Sequence, residues 1–152
     1  MGKTVPLDVN ESPQFRLIVV GIVQNERDEY LICKMPRGRG VFPAQWGLPG
    51  GGIEPGEQME AALRRELMEE LAIDISDIEP LFFSDGTYKK SFANGDQRDV
   101  YMIFLIFSCR AKSTDITLSA EFSEYAWIKK VDLKSYDLNS ASIVTFRRVG
   151  ML

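Results

Sequence analysis

The chain of 152 residues is long enough for one domain with a proper core, and its 45% hydrophobic and 26% charged residues give a globular rather than a disordered balance. A net charge of −4 argues against general attraction to nucleic-acid polymers or to an anionic membrane surface. Histidine is absent, which excludes Ser-His and Cys-His hydrolases, His-ligated zinc and His-x-Glu deaminases; any metal must rest mainly on oxygen ligands, which favour Mg²⁺, Mn²⁺ or Ca²⁺.

Residues 1–13 read as a polar leader of a composition compatible with disorder, without the apolar stretch of a signal peptide, and residues 14–152 as a single domain. Phe15 to Val23 is apolar and β-branched and predicts a strand. The stretch QNERDEY turns the chain, and Tyr30 to Lys34 returns as the second strand of a hairpin. MPRGRGVFPAQWGLPGGG, residues 35–52, is too rich in proline and glycine for a regular element and predicts a long structured loop with short extended pieces. Glu57 to Leu71 is the clearest helix. Leu81 to Thr87 and Val100 to Cys109 predict strands on either side of an Asn94-Gly95 turn. Glu124 to Ile128 predicts a short strand, Leu133 to Tyr136 a helical turn, and Ser140 to Val149 a C-terminal helix. Strands gathered around one strong helix point to an α/β domain with helices packed on a sheet. The longest apolar runs, Leu17 to Val23 and Tyr101 to Phe107, are too short to span a bilayer. Cys33 and Cys109 sit in strand-like apolar surroundings and read as buried reduced thiols, which suits a cytoplasmic protein.

The helix carries the chemistry. With an advance of about 100° per residue from Glu57, Glu69, Glu66 and Glu70 fall near 120°, 180° and 220°, beside the apolar stripe of Met59, Leu63, Leu67 and Leu71. A solvated acidic face accounts for Glu57 and Glu60, because acids suit a helix start. It accounts poorly for Glu66, Glu69 and Glu70, which lie where the helix dipole disfavours negative charge and border the core. Arg65 offsets Glu69 at i+4; a divalent cation would offset the rest. Gly50, Gly51 and Gly52 before the helix let the backbone approach a ligand closely.

From Gly51 the chain reads Gly, five residues, Glu57, seven residues, then Arg65-Glu66-Leu67-Met68-Glu69-Glu70-Leu71-Ala72-Ile73. This resembles the Nudix box, Gly-x5-Glu-x7-Arg-Glu-U-x-Glu-Glu-x-Gly-U with U aliphatic. Every polar position matches; Ala72 departs, standing where the family has glycine, which leaves the end of the helix as the point to check. The resemblance implies a Nudix fold from about Phe15 onward, a mixed β-sheet sandwiched between α-helices. The stretches CKMPRGRGVFPAQWGLPGGGIEPGE, YMIFLIFSC, EFSEYAW and YDLN are similar to the bacterial NudI-type nucleoside triphosphatases of that family.

The resemblance implies Mg²⁺-dependent hydrolysis, with Mn²⁺ as a substitute, of nucleoside triphosphates, favouring pyrimidine deoxynucleotides, to monophosphate and pyrophosphate. By the same likeness Glu69, Glu70 and the Gly50 carbonyl are metal ligands, Glu66 is either the base that activates water or a further ligand, Arg65 orients a glutamate, and Glu57 supports the site through an outer or water-mediated contact. Family members often take one more carboxylate from a distant loop, for which Glu121 is the first candidate and Glu124 the second. Lys34, Gly51 and Gly52 are expected near the substrate phosphates, and a homodimer is expected because relatives pair. Phe42, Trp46 and Phe83 are open to stacking on a base, with core packing the simpler expectation; Asp85 is open to a base or ribose contact. Two alternatives stand beside this reading: a nucleotide-sugar or ADP-ribose pyrophosphatase, and a module that binds a nucleotide without cleaving it.

Overall fold

The computed structural model describes residues 14–152; the leader expected over residues 1–13 lies outside the described residues. Seven strands form a single mixed sheet: β1 (Gln14–Gln24), β2 (Tyr30–Lys34), β3 (Trp46–Gly47), β4 (Gly50–Gly52), β5 (Ile75–Ser91), β6 (Gln97–Ala111) and β7 (Glu124–Ile128). The path runs β3-β2-β1-β6-β5, with β4 paired to β1 and β7 to β2. Strand β1 lies parallel to β6 over its whole length and antiparallel to β4, where Ile18 opposes Gly52 and Val20 opposes Gly50.

From Leu17 to Val23, β1 reads as a near-continuous apolar run because both its faces are covered. Val19 and Val23 point to one side, where Ala62, Leu63, Leu67 and Leu71 of helix α1 (Met59–Leu71) pack over Leu31, Cys33, Phe107 and Cys109. Ile18, Val20 and Ile22 point to the other side with Met102, Phe104 and Ile106. On that side Ala141 of helix α2 (Ser140–Arg148) and Val149 just after it pack against them. Phe146 of α2 closes a third cluster with Ile32, Ile128 and Leu133, the last from a 3₁₀ helix over Lys130–Ser135. The expected sheet between helices is therefore the observed one.

Three local expectations change. Strands β5 and β6 extend well past Leu81–Thr87 and Val100–Cys109, so the loop between them shrinks to a tight turn in which Gly95 N donates to Phe92 O at 2.9 Å. Polar cross-strand pairs such as Lys89 with Asp99 at 2.8 Å prolong the ladder, and Pro80 is accommodated at an irregularity of the edge strand. Glu57 stands before the helix, not in its first turn: Gln58 is the N-cap, and Glu57 N donates to Glu54 O across the Pro55-Gly56 turn. With the helix starting later, Met59 is half exposed and Ala62 takes the inward position.

The C-terminal end of α1 resolves the one departure from the box. Ala72 adopts the left-handed conformation, φ 53° and ψ 38°, and its N–H reaches Met68 O at 3.0 Å. The chain keeps the glycine geometry with an alanine and carries the steric cost of its Cβ.

Candidate active site

Arg65 is the hub of the helix's acidic arc. Its Nε donates to Glu57 Oε2 at 2.7 Å and its Nη2 to Glu57 Oε1 at 2.8 Å, a bidentate clamp. Nη1 donates to Glu66 Oε1 at 3.0 Å and Glu69 Oε2 at 3.2 Å, and Nη2 also reaches the Gly52 carbonyl at 2.9 Å. One guanidinium thus ties the turn before the helix, strand β4 and three carboxylates together. The clamp holds the Glu57 carboxyl down at about 2, chiefly through the hydrogen bonds from Arg65, and in return raises the Arg65 guanidinium.

Glu66 lies folded against β4. A Cβ on Gly51 would stand 2.2 Å from Glu66 Oε2, so only glycine leaves room for this carboxylate. At Gly50 a Cβ would meet the Val19 carbonyl at 2.0 Å, so glycine there is a condition for β4 to pair with β1 at all. The two glycines therefore serve different ends: one the sheet, the other the acid.

Glu70 is the buried member of the arc, 6% exposed, and its Oε2 has no hydrogen-bond partner among the described residues. Burial pushes its carboxyl up to about 10; the hydrogen bond and charge of Glu66 add to this, followed by the charges of Glu121 and Glu69. The thiol of Cys33, buried beside it, is raised by burial and then by Glu70. An orphaned, buried carboxylate oxygen facing further acids fits a hard divalent cation, whose charge would reverse the penalty that now keeps Glu70 protonated. Among the described residues no three acidic, cysteine or histidine groups are already drawn together as a ligand shell; the acids line a wall instead.

That wall belongs to a cavity of about 720 Å³. Glu66, Glu69, Glu70 and Glu121 stand on it together with Gly50, Gly51 and Gly52, and Ile18, Val20, Met102, Phe104 and Ile106 supply an apolar side. The loop after β2 borders it through Met35, Val41 and Phe42. Gly40 secures this loop to the tip of β5 by paired backbone hydrogen bonds with Ser91, both 2.9 Å, and the Arg39 side chain donates to the Ala120 carbonyl.

The structure brings together most of the residues singled out from the sequence and sets others apart. Glu121 reaches the cavity from the segment before β7 and acts electrostatically on Glu70. Glu124 is held 3.2 Å from Lys34 in an ion pair, and neither lines the cavity. Of the aromatic candidates, Phe42 lines the cavity and packs edge-on to Tyr88, while Trp46 packs edge-on to Tyr136. Phe83 is 73% exposed, against the expectation of core packing, because the odd face of edge strand β5 lies beyond the reach of α1. Asp85 accepts a hydrogen bond from Tyr101 Oη at 2.7 Å, away from the cavity. Arg16 and Lys90 line the cavity and were not legible from the sequence, since each is a single polar residue in a long strand with no motif around it.

Comparison with known proteins agrees with this geometry. Residues 14–148 match the NUDIX domain. Over 139 residues the chain is 50% identical to a nucleoside triphosphatase NudI of Klebsiella pneumoniae (strain 342), covering 90% of this chain and 98% of that protein. It is 48% identical, with the same coverage, to a nucleoside triphosphatase NudI of Escherichia coli O81 (strain ED1a). The crystal structure of a MutT NUDIX hydrolase from Burkholderia pseudomallei matches with a TM-score of 0.71 and 25% identity, over 90% of this chain and 98% of that one.

Proposed function

The chain belongs to the NUDIX family and is a Nudix hydrolase, as its box implied, and from that premise we propose that it hydrolyses nucleoside triphosphates, pyrimidine deoxynucleotides foremost, with Mg²⁺, releasing monophosphate and pyrophosphate. Its 50% identical relative is a nucleoside triphosphatase by name. The observation that carries the reading is the orphaned Glu70 Oε2 on the acidic wall of a cavity whose other side is apolar. Such a cavity offers one end to a metal-bound polyphosphate and the other to a base.

In this reading Glu69, Glu70, Glu121 and the Gly50 carbonyl hold the cation, with Mn²⁺ able to replace Mg²⁺. When bound, the cation offsets phosphate charge and polarises the phosphorus under attack. Glu66 either takes the proton of the attacking water or joins the ligands, and its seat on Gly51 fixes its position for both. Arg65, clamped on Glu57, holds Glu66 and Glu69 by hydrogen bonds at the cavity wall. Gly51 and Gly52 present open backbone to the phosphates, and Lys34 would join them only by releasing Glu124.

A panel of nucleoside triphosphates, nucleotide sugars and ADP-ribose, assayed with Mg²⁺ for monophosphate and pyrophosphate, tests the reading. Turnover of the triphosphates with pyrophosphate release is expected. Turnover confined to sugar nucleotides would move the substrate class, and binding without turnover of any would leave a nucleotide-binding module. We propose a cytoplasmic location and a homodimer as well; among the described residues no helix is long and apolar enough to cross a membrane. Light scattering at micromolar protein concentration reads the homodimer directly.

A further inference from the structure

Arg16 is the one charged residue in the row Arg16, Ile18, Val20 that β1 turns towards the cavity. Its guanidinium lies against β4, where a Cβ on Gly52 would meet Nη2 at 2.6 Å. Gly52 follows the glycine that seats Glu66, and successive residues of a strand face opposite sides. Strand β4 therefore carries the acid on one face and the cation on the other, at adjacent positions. Lys90 comes from the far end of β5 and lines the same cavity. Its ammonium lies 5.4 Å from the Phe92 ring and is close enough to Arg16 and Glu121 to feel both charges.

Neither cation has an ion pair or a side-chain hydrogen bond among the described residues. Both are half-buried, and they repel each other. Two desolvated like charges facing one cavity cost stability unless an anion shares them. Glu70, Glu121, Lys90 and Arg16 all line this one cavity, and Glu121 acts electrostatically on both Glu70 and Lys90. An anion held by the two cations would thus share the cavity with the proposed metal ligands.

We propose that Arg16 and Lys90 form a receptor for the terminal phosphate of the substrate and set the preference for free triphosphates over nucleotide sugars. The proposal rests on the reading of the cavity as a nucleotide site. The terminal phosphate of a triphosphate is bonded only through one anhydride and carries nearly two negative charges, whereas the distal phosphate of a nucleotide sugar is bonded both through the anhydride and to the sugar and carries one. A guanidinium and an ammonium lining one cavity reward the extra charge and the extra acceptor oxygen. Neither residue has a hydrogen bond or ion pair with the proposed cation ligands among the described residues, so the direct partner of the pair is the substrate anion.

The test compares wild type with Arg16→Gln and Lys90→Gln, each checked for unchanged thermal unfolding, on a nucleoside triphosphate and a nucleotide sugar. Each substitution is expected to raise KM for the triphosphate about 10-fold, with kcat and the nucleotide-sugar KM changed less than about 2-fold. Arg16→Lys should recover part of the loss. Equal losses on both substrates, or none on the triphosphate, would overturn the proposal. Calorimetric binding of inorganic tripolyphosphate in the presence of Mg²⁺ provides a readout that needs no turnover. Tripolyphosphate binding weakened by either substitution upholds the receptor even if wild type hydrolyses no triphosphate, and binding unchanged by both overturns it even if wild type does.

Discussion

Arg65 grips both carboxylate oxygens of Glu57, at 2.7 and 2.8 Å, reaching back along α1 to the residue just before its N-cap. The clamp fixes the rotamer of a guanidinium that also orders Glu66 and Glu69. Arg65→Lys keeps the charge and loses the fork. We expect kcat to fall about 10²-fold, as for loss of a positioned acid–base group, with some loss of thermal stability at neutral pH because the clamp on Glu57 weakens; wild-type turnover in steady-state kinetics would dismiss the clamp as a requirement.

The same clamp predicts an acid limb. Glu57 is held near 2 against an ordinary value of 4.5. A carboxylate with a depressed folded value stabilises the native state above its unfolded value, and this contribution fades as pH falls through the window from 4.5 to about 2. Glu57→Gln should flatten the melting temperature against pH in that window. Parallel curves for the two proteins would show that the clamp contributes nothing to folding.

Glu70 predicts the opposite slope. Its carboxyl is pushed up to about 10 without a bound cation, so above 4.5 the folded chain holds a proton that the unfolded chain has lost. Metal-free stability therefore falls as pH rises from 4.5 towards about 10. Mg²⁺ displaces that proton and should flatten the slope, and Glu70→Gln should abolish both the slope and the response to Mg²⁺. Thermal melts in EDTA and in Mg²⁺ across this range check it; a metal-free slope that survives Glu70→Gln assigns the effect elsewhere.

Gly50 and Gly51 should fail differently. Gly50→Ala drives a Cβ into the Val19 backbone and should cost about 2 kcal/mol or more in denaturant unfolding, as overpacking does. Gly51→Ala meets only the end of the Glu66 side chain, which can swing away. It should leave the fold close to wild type and lower kcat about 10²-fold, as Glu66→Gln does. Similar stability losses in both would mean that β4 tolerates no side chain at either position.

Ala72→Gly restores the residue that the left-handed cap prefers. The steric relief outweighs the added freedom of the unfolded chain, and we expect a gain of about 0.5–1 kcal/mol, or roughly 1–4 °C in melting temperature. A loss on substitution would show that the alanine methyl makes a compensating contact.

The sequence made the α1 acids and the central strand legible because each is written in a local period. Leu63, Leu67 and Leu71 mark the buried stripe, and Glu66 and Glu70 fall beside it by arithmetic. Glu57 escaped that arithmetic: the Pro55-Gly56 turn delays the helix, and only the tertiary contact with Arg65 shows where the acid goes. The length of β5 was hidden because an edge strand with an exposed face has little apolar alternation to show. Arg16 and Lys90 were hidden for a deeper reason. Their meaning lies in a proximity created by strand pairing between distant parts of the chain, and neither residue's neighbours in sequence report it.

The most direct measurement follows one pyrimidine deoxynucleoside triphosphate by phosphorus NMR with the protein and Mg²⁺, before and after excess EDTA. The account predicts monophosphate and pyrophosphate as the products, with production stopping when the chelator is added. Orthophosphate with nucleoside diphosphate, or hydrolysis that continues unchanged in EDTA, would contradict it.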